Sequence, residues 1–305
     1  MSELAPSRRR GAKRAPVSPV ARASSGLRSQ DLVITVLGSH LRRAGERVWS
    51  GGMVSVIKEF GFSTEAVRAA LSRLVSRGLL ERHRSGRLID YALTTGAHEL
   101  LAEGDRRIFT FGRVAPAADA WTLLWHSIPE DRRVERSRLA SQLRFLGFGS
   151  LQDATWIAAS DREQEVRVLL ATLSVEAYAS MFVGRMARGS ESALLIAEAW
   201  DLETLTRRYE EFLAAFSPYE KPAARRGLSE RDAFVVRARL MHAFRSFSQL
   251  DPELPESIAP MMELRDRVVA TFDSVYESLA KGANAYFESV AVVSGSPREP
   301  PAGMR

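Results

Sequence analysis

The sequence predicts an α+β multidomain protein with an N-terminal winged helix-turn-helix, a central ferredoxin-like α/β domain and a C-terminal helical domain. Helical patterns near the N-terminus are followed by two short alternating strands. Strand-like and helical patterns then alternate between about residues 119 and 187, and only helical patterns follow from about residue 191. Because each element must bury its apolar face against a neighbour, these three patterns predict three packed units in chain order.

The composition is that of an ordinary globular protein. The chain has 305 residues, enough for two or three domains, and is 45% hydrophobic and 26% charged. No apolar run approaches the ~20 residues that span a bilayer, and the first residues lack the apolar core of a secretory signal. The absence of cysteine excludes disulfides, zinc–thiolate sites and a cysteine nucleophile. We therefore expect a cytoplasmic protein without a membrane partner.

The positive charge is concentrated at the N-terminus. Residues 1–28 carry seven basic side chains against one acid, so this segment alone accounts for the net charge of +6. Its Pro, Ser, Ala and Arg residues show no periodicity, which predicts disorder. A basic tail of this kind can lie along phosphates and increase affinity by counterion release. A solubilising extension fits the same composition.

The segment "GFSTEAVRAALSRLVSRGLLERHRSGRLIDYALT" predicts a helix from Ser63 to Gly78 and a hairpin after it. The apolar positions of this helix have the spacing of one buried face: Val67, Ala70, Leu71, Leu74 and Val75. The hydroxyl of Ser63 or Thr64 can cap the helix. On the opposite face, three residues spaced four apart form one exposed row: Thr64, Arg68 and Ser72.

Two upstream segments complete a helix-turn-helix. "QDLVITVLGSHLRR" predicts the first helix and "WSGGMVSVIKEFGF" the second, with a short glycine-containing turn into the third. The hairpin, joined at Ser85-Gly86, is rich in basic residues and predicts a wing. We expect DNA binding, with Thr64, Arg68 and Ser72 on base edges and four residues on phosphates or in the wing: Ser63, Arg73, Arg84 and Arg87. Winged helices also serve as protein-docking modules, and an arginine-bearing helix can be a solvated face.

The boundaries follow these patterns. We expect a disordered basic tail at 1–28, the winged helix-turn-helix at 29–95, a linker at 96–118, the ferredoxin-like domain at 119–190, a helical dimerisation or effector domain at 191–293 and a disordered tail at 294–305. In the central domain a helix should bury Val134, Leu139, Leu143 and Leu146 and end at Gly147 and Gly149. Three C-terminal helices are expected at 201–216, 229–250 and 262–290. Arg237, Arg239 and Arg245 should lie off the buried stripe of the second.

Enzyme signatures are missing from the sequence. There is no G-x-S-x-G elbow and no P-loop, and "GFGSLQ" lacks the third glycine of a dinucleotide loop. The five histidines are scattered without metal-ligand spacing. Ferredoxin-like domains can be nucleases, but paired carboxylates at one strand end are not evident. We therefore expect no catalytic residue, no metal and no enzymatic activity.

The sequence resembles the PaaX family of transcriptional regulators, the phenylacetic acid degradation repressors. The segment "VLGSHLRRAGERVWSGGMVSVIKEFGFSTEAVRAALSRLVSRGLLERHRSGRLIDYALT" carries the resemblance, followed in family order by "WTLLWHSIPE…RSRLASQLRFLGFGSL", "AWDLETLTRRYEEFLAAFSPY" and "LSERDAFVVRARLMHAFRSFSQLDPELPES". It implies a homodimeric repressor that binds inverted-repeat operators and is released by an acyl-CoA such as phenylacetyl-CoA. The wing departs from the family's pattern of paired arginines before a Ser-aromatic-Tyr run, so wing contacts and operator sequence are expected to differ.

The effector pocket is unknown from sequence. An acyl-CoA carries three phosphates, so its pocket should combine arginines with apolar and aromatic side chains. Candidates are Arg144, Arg185, Arg188 and Arg239, with Trp121, Trp125, Phe145 and Trp156 for the acyl group, although an aromatic residue in a strand is more often part of the core. A DNA-binding protein without an effector, and an enzyme that processes CoA esters on DNA, are the competing hypotheses.

Overall fold

The computed structural model describes residues 27–41, 43, 45–86, 88–113, 120–185, 191–254 and 262–292. Both predicted tails fall outside these ranges apart from Leu27 and Arg28, so their disorder stays a prediction. N-terminal helices, small antiparallel sheets and C-terminal helices follow one another along the chain. This order confirms the coarse architecture predicted from the sequence. In the part of the chain that is described, no helix is both long and apolar enough to cross a membrane.

The N-terminal section contains three helices and a three-stranded sheet. Its elements are α1 (Ser29–His40), β1 (Arg47–Trp49), α2 (Ser50–Lys58), α3 (Thr64–Ser76), β2 (Leu80–Ser85) and β3 (Leu88–Leu93). The predicted order of three helices and a hairpin is present. β1, which the sequence analysis missed, pairs antiparallel with β3, and the sheet order is β1-β3-β2. Three residues with one buried side chain, Val48, are too few to show an alternating pattern.

The hairpin turn lies one residue later than predicted. Ser85 still pairs with Leu88, so Ser85 belongs to β2 and the turn begins after it. Gly86 has a φ of +62°, in the left-handed region that the favoured two-residue hairpin turns require.

A helix of 16 residues, α4 (Thr95–Thr110), occupies most of the segment predicted as a linker. Ala97 at its start belongs to the N-terminal core, whereas Ile108 and Phe109 pack against the C-terminal core. The sequence analysis assigned a linker here, because Leu100 is an apolar residue that is 61% exposed and obscures the period. α4 therefore connects two cores as a packed element.

The central section is a four-stranded antiparallel sheet with two helices. Its elements are β4 (Trp121–His126), α5 (Arg133–Phe145), β5 (Gly149–Gln152), β6 (Thr155–Ala158), α6 (Glu163–Leu173) and β7 (Ala179–Gly184). The strand order is β5-β6-β4-β7, and every adjacent pair is antiparallel. Each helix connects two strands that have a third strand between them, which is the split β-α-β arrangement of ferredoxin-like type.

Two details of α5 and β5 correct the sequence analysis. Gly147, with a φ of +87°, follows the end of α5 as predicted. Gly149 is instead the first residue of β5, a strand that was missed. A Cβ at Gly149 would lie 2.5 Å from the carbonyl oxygen of Ala199, so the position serves close packing. Val134, predicted to be buried, is 54% exposed, because the buried face of α5 consists of Leu139 and Leu143.

The described residues of the C-terminal section form helices joined by short turns and loops, with no strand among them. Its helices are α7 (Glu191–Ala199), α8 (Leu202–Phe216), α9 (Pro222–Arg226), α10 (Glu230–Leu250), α11 (Met262–Ser278) and α12 (Ala280–Ala291). The third predicted helix is divided at Leu279. One residue of the second departs from expectation: Arg237 is buried, its Nε donates to the Tyr276 carbonyl oxygen at 3.0 Å, and its guanidinium lies 3.7 Å from the Tyr276 ring centroid. The hydrogen bond and the contact with the face of the Tyr276 ring offset the cost of burying the Arg237 charge.

The N-terminal section and the C-terminal helices share one hydrophobic core. Phe234 of α10 and Phe287 of α12 are buried in the same cluster as the apolar faces of α1, α2 and α3. Glu59, just after α2, forms an ion pair with Arg231 and accepts a hydrogen bond from the Tyr286 hydroxyl at 2.9 Å. Because α10 and α12 complete its core, the N-terminal section is held against the C-terminal helices over a broad surface.

One histidine at this junction makes stability depend on pH. Burial lowers the pKa of His242 from 6.5 to about 4. The positive charges of Arg245 and Arg239 also lower it, whereas the negative charge of Asp31 in α1 opposes the shift. As the pH falls from 6.5 toward 4, the unfolded chain therefore binds a proton that the folded chain does not, and stability decreases. We expect His242→Gln to remove this part of the acid destabilisation in urea titrations across that window. The same pH dependence in both proteins would contradict the assignment.

Candidate nucleic-acid interface

The N-terminus of α3 is capped by a side chain. The Ser63 hydroxyl accepts a hydrogen bond from the Ala66 amide at 3.2 Å, and Ser63 has the extended backbone of a cap residue. This observation selects Ser63 over Thr64, which the sequence left open. The pKa of the Glu65 carboxyl is lowered by hydrogen bonds from the Glu65 backbone amide and from the Ser63 hydroxyl. The start of α3 therefore favours negative charge, as helix N-termini do.

α3 separates a buried face from an exposed one. Val67, Ala70, Leu71 and Leu74 are each 0% exposed. On the opposite side Arg68 and Ser72 are exposed, and Thr64 at the start of the row is half-buried. Across the described chain, the Arg68 guanidinium has no hydrogen bond or ion pair. Its donors are available to an external acceptor, and the neighbouring Ala69 is small enough to let a surface approach.

Arg73, predicted to contact phosphate, already has an intramolecular partner. Its Nε donates to the Gln30 side-chain oxygen at 3.3 Å, which connects α3 to the start of α1. Ser29 also reaches α3, with its hydroxyl 3.5 Å from the Ala66 carbonyl oxygen. Ser29, which follows the basic segment in the sequence, therefore lies beside α3.

The hairpin presents part of its predicted basic set to solvent. Arg82 and Arg84 are exposed on β2, and the Arg84 Nε donates to the Gly86 carbonyl oxygen at 3.1 Å. His83 lies 3.5 Å from Glu81. Arg87 falls outside the described residues, so its predicted contact stays a prediction.

The sequence analysis missed one basic residue near the start of α3. Lys58, the last residue of α2, is exposed, and its charge contributes to lowering the pKa of Glu65. A lysine at the C-terminal end of a helix is also expected on dipole grounds, so its position in the sequence alone did not indicate a role in the interface.

The predicted effector residues do not converge on one pocket. Trp156 is in the core between the sheet and its helices, whereas Trp121 lies on the opposite face, packed against Ile196 of α7. The guanidinium of Arg144 is 5.1 Å from the Trp156 ring centroid, and that of Arg239 is 5.4 Å from the ring of Phe60 in the N-terminal section. The remaining candidates are also dispersed: Trp125 and Phe145 are exposed, Arg185 follows β7, and Arg188 is outside the described residues.

Three family models match successive parts of the chain. A model of PaaX-like proteins matches residues 28–97, a model of the PaaX protein central Cas2-like domain matches residues 114–196, and a model of the PaaX-like C-terminal domain matches residues 200–289. Their order is that of the three structural sections. The matched ranges include the candidate interface of α3 and the hairpin.

Similarity to individual proteins extends over most of the chain. The chain is 28% identical over 265 residues to the transcriptional repressor PaaX of Escherichia coli (strain K12), covering 84% of this chain and 81% of that protein. Among solved structures, the uncharacterized protein Rv0674 from Mycobacterium tuberculosis matches with a TM-score of 0.51 and 24% identity, covering 82% of this chain and 96% of that one. The second likeness concerns the fold alone.

Proposed function

Since this chain belongs to the PaaX family, we propose that it is a cytoplasmic, non-catalytic repressor that binds double-stranded operator DNA through a winged helix-turn-helix. The observation that carries the proposal is the exposed row of α3. Thr64, Arg68 and Ser72 share one side of a helix whose opposite side is fully buried at four positions. A helix with an available arginine, small neighbours and a capped N-terminus suits insertion into the major groove.

The surroundings of α3 supply the phosphate contacts. Ser63 lies at the helix N-terminus, where backbone amides attract phosphate oxygens. Lys58 ends the helix before α3, Arg73 lies in the last turn of α3, and Arg84 is exposed on the neighbouring sheet. The basic segment 1–28, which precedes Ser29 in the sequence, adds sequence-independent affinity. Contacts of α3 with base edges would provide sequence specificity. Contacts of the other residues with the DNA backbone would provide affinity that does not depend on sequence.

One hairpin residue provides a test of the wing. We expect Arg84→Ala to weaken binding to all duplexes and to reduce the slope of log Kd against log salt by about one, because one phosphate contact is lost. Fluorescence anisotropy at several salt concentrations measures the slope. Arg84→Lys keeps the charge and should keep the slope. An unchanged slope in Arg84→Ala would remove Arg84 from the phosphate contacts.

The regulatory part of the proposal is a homodimer that binds an inverted repeat and is released by an aryl-acyl-CoA such as phenylacetyl-CoA. Release requires that the effector bind more tightly to a dimer geometry in which the two α3 helices no longer match half-sites one helical turn apart. The broad junction between the N-terminal section and α10 and α12 supports such coupling, because movement of the C-terminal helices would carry α3 with it.

The deciding experiment is an anisotropy titration of the purified protein on DNA from upstream of its own gene. Parallel titrations contain phenylacetyl-CoA, free CoA or phenylacetate. Sequence-specific binding abolished by the thioester alone is the expected result. Specific binding that no thioester disturbs would retain the DNA-binding role and reject the effector. Binding no tighter than to random duplex would reject the repressor and favour a docking module.

A further inference from the structure

A small cavity lies where four helices meet. It has a volume of about 160 Å³ and is enclosed by α1, the end of α3, α4 and α10. Its walls are largely apolar, formed by Ile34, Leu74, Leu79 and Leu101, and it opens to solvent near Asp31 and Arg77. An apolar cavity of about 150 Å³ is large enough for a benzene ring. The space therefore suits a compact apolar group.

A poorly compensated cation lines this cavity. The Arg245 Nη1 donates to the Thr35 hydroxyl at 2.8 Å, and that hydroxyl in turn donates to the Asp31 carbonyl oxygen. Within the described ranges, no carboxylate lies within 4.0 Å of Arg245. Burial lowers the pKa of Arg245, and the charge of Asp31 opposes this only in part. A neutral partner offsets little of the free energy of desolvating a guanidinium.

The charged side chains that line the cavity leave a net positive field. Arg245 and Arg77, which lies at the rim, are the cations, and Asp31 is the acid. His242, with its pKa lowered to about 4, is uncharged at neutral pH and adds nothing to the field. Asp31 is the one acid among the residues that line the cavity, and it is exposed to solvent. An anion with an apolar body would match both the walls and the charge.

We propose that this cavity binds a small monocarboxylate with an apolar body, with its carboxylate on Arg245 and its body against Ile34, Leu74 and Leu101. The cavity is smaller than the ~300–1,000 Å³ of pockets for drug-sized ligands, so a CoA thioester does not fit. The site is therefore distinct from any acyl-CoA pocket. Residues of α3 and α10 both line it, so an occupant contacts the DNA-binding helix and the C-terminal helices together. This coupling to DNA rests on the function proposed above, whereas binding of the ligand does not.

Calorimetry on the full chain without DNA tests the site directly. The probes are hexanoate and benzoate at millimolar concentration, with 1-hexanol and benzyl alcohol as uncharged counterparts. Saturable binding of the carboxylates, accompanied by a rise in the melting temperature, is expected for the wild type. The alcohols should bind about tenfold more weakly or worse, since a charge-assisted hydrogen bond is lost. Equal binding of acids and alcohols, or no binding of either acid, would overturn the proposal.

Three variants locate the site. Arg245→Met should weaken hexanoate binding about tenfold or more. Ile34→Phe fills the cavity and keeps the Arg245 guanidinium, and it should abolish hexanoate binding. This second variant tests the site even if Arg245→Met fails to fold. Arg226→Met removes an exposed positive charge from α9 and should bind as the wild type does. Hexanoate affinity that is unchanged in Ile34→Phe, or reduced equally in Arg226→Met, would show that binding occurs elsewhere.

Discussion

Arg68→Ala is expected to lose about 1–3 kcal/mol of binding free energy for operator DNA if Arg68 contacts a guanine. This loss raises Kd roughly 5- to 150-fold. The structure supplies the reason, because the guanidinium is exposed in the centre of α3 and lacks a partner among the described residues. Anisotropy on a duplex selected from a random library by the wild-type protein measures the loss. The same variant tested on scrambled duplex should lose much less.

Arg226→Ala is the matched control for this measurement. It removes one exposed arginine from α9, so it changes the net charge as Arg68→Ala does without altering α3. Its affinity for both duplexes should stay close to that of the wild type. Equal losses of Arg68→Ala on selected and scrambled DNA would contradict base recognition and leave Arg68 as a phosphate contact.

Gly52→Ala is expected to destabilise the protein by about 1–3 kcal/mol, although alanine normally favours a helix. A Cβ at Gly52 of α2 would lie 2.4 Å from the Val290 carbonyl oxygen and 2.5 Å from the Ala291 Cα. Both atoms belong to the backbone of α12, so relief requires α2 and α12 to separate. That movement disturbs the core shared by the N-terminal section and the C-terminal helices. The urea midpoint measures the loss.

Gly104→Ala provides a control of opposite sign. Gly104 lies inside α4, and a Cβ there would meet nothing within 4 Å. The substitution should therefore stabilise the protein by about 0.4–1 kcal/mol, because alanine favours the helix and reduces the conformational entropy of the unfolded chain. If Gly52→Ala proved as stable as Gly104→Ala, the close seating of α2 on α12 would be wrong.

The local elements were predictable where a long pattern and its end signals agree. α3 is the clearest example, since five apolar positions, a hydroxyl cap at Ser63 or Thr64 and Gly78 indicate it without reference to the rest of the chain. β1 and β5 were missed because three or four residues cannot establish a period, and their strand conformation depends on pairing with β3 and β6. Arg237 was misplaced because its compensation comes from Tyr276, 39 residues away.

The sequence by itself determined the order of sections and the buried and exposed faces of α3, because these depend on residues a few positions apart. The tertiary structure alone decided that Arg73 is bonded to Gln30, that α10 and α12 complete the N-terminal core, and that Arg245 lines a cavity beside α3. Each of these depends on contacts between residues distant in the chain. Periodicity carries no information about such contacts, because it reports which face of an element is buried but not what covers it.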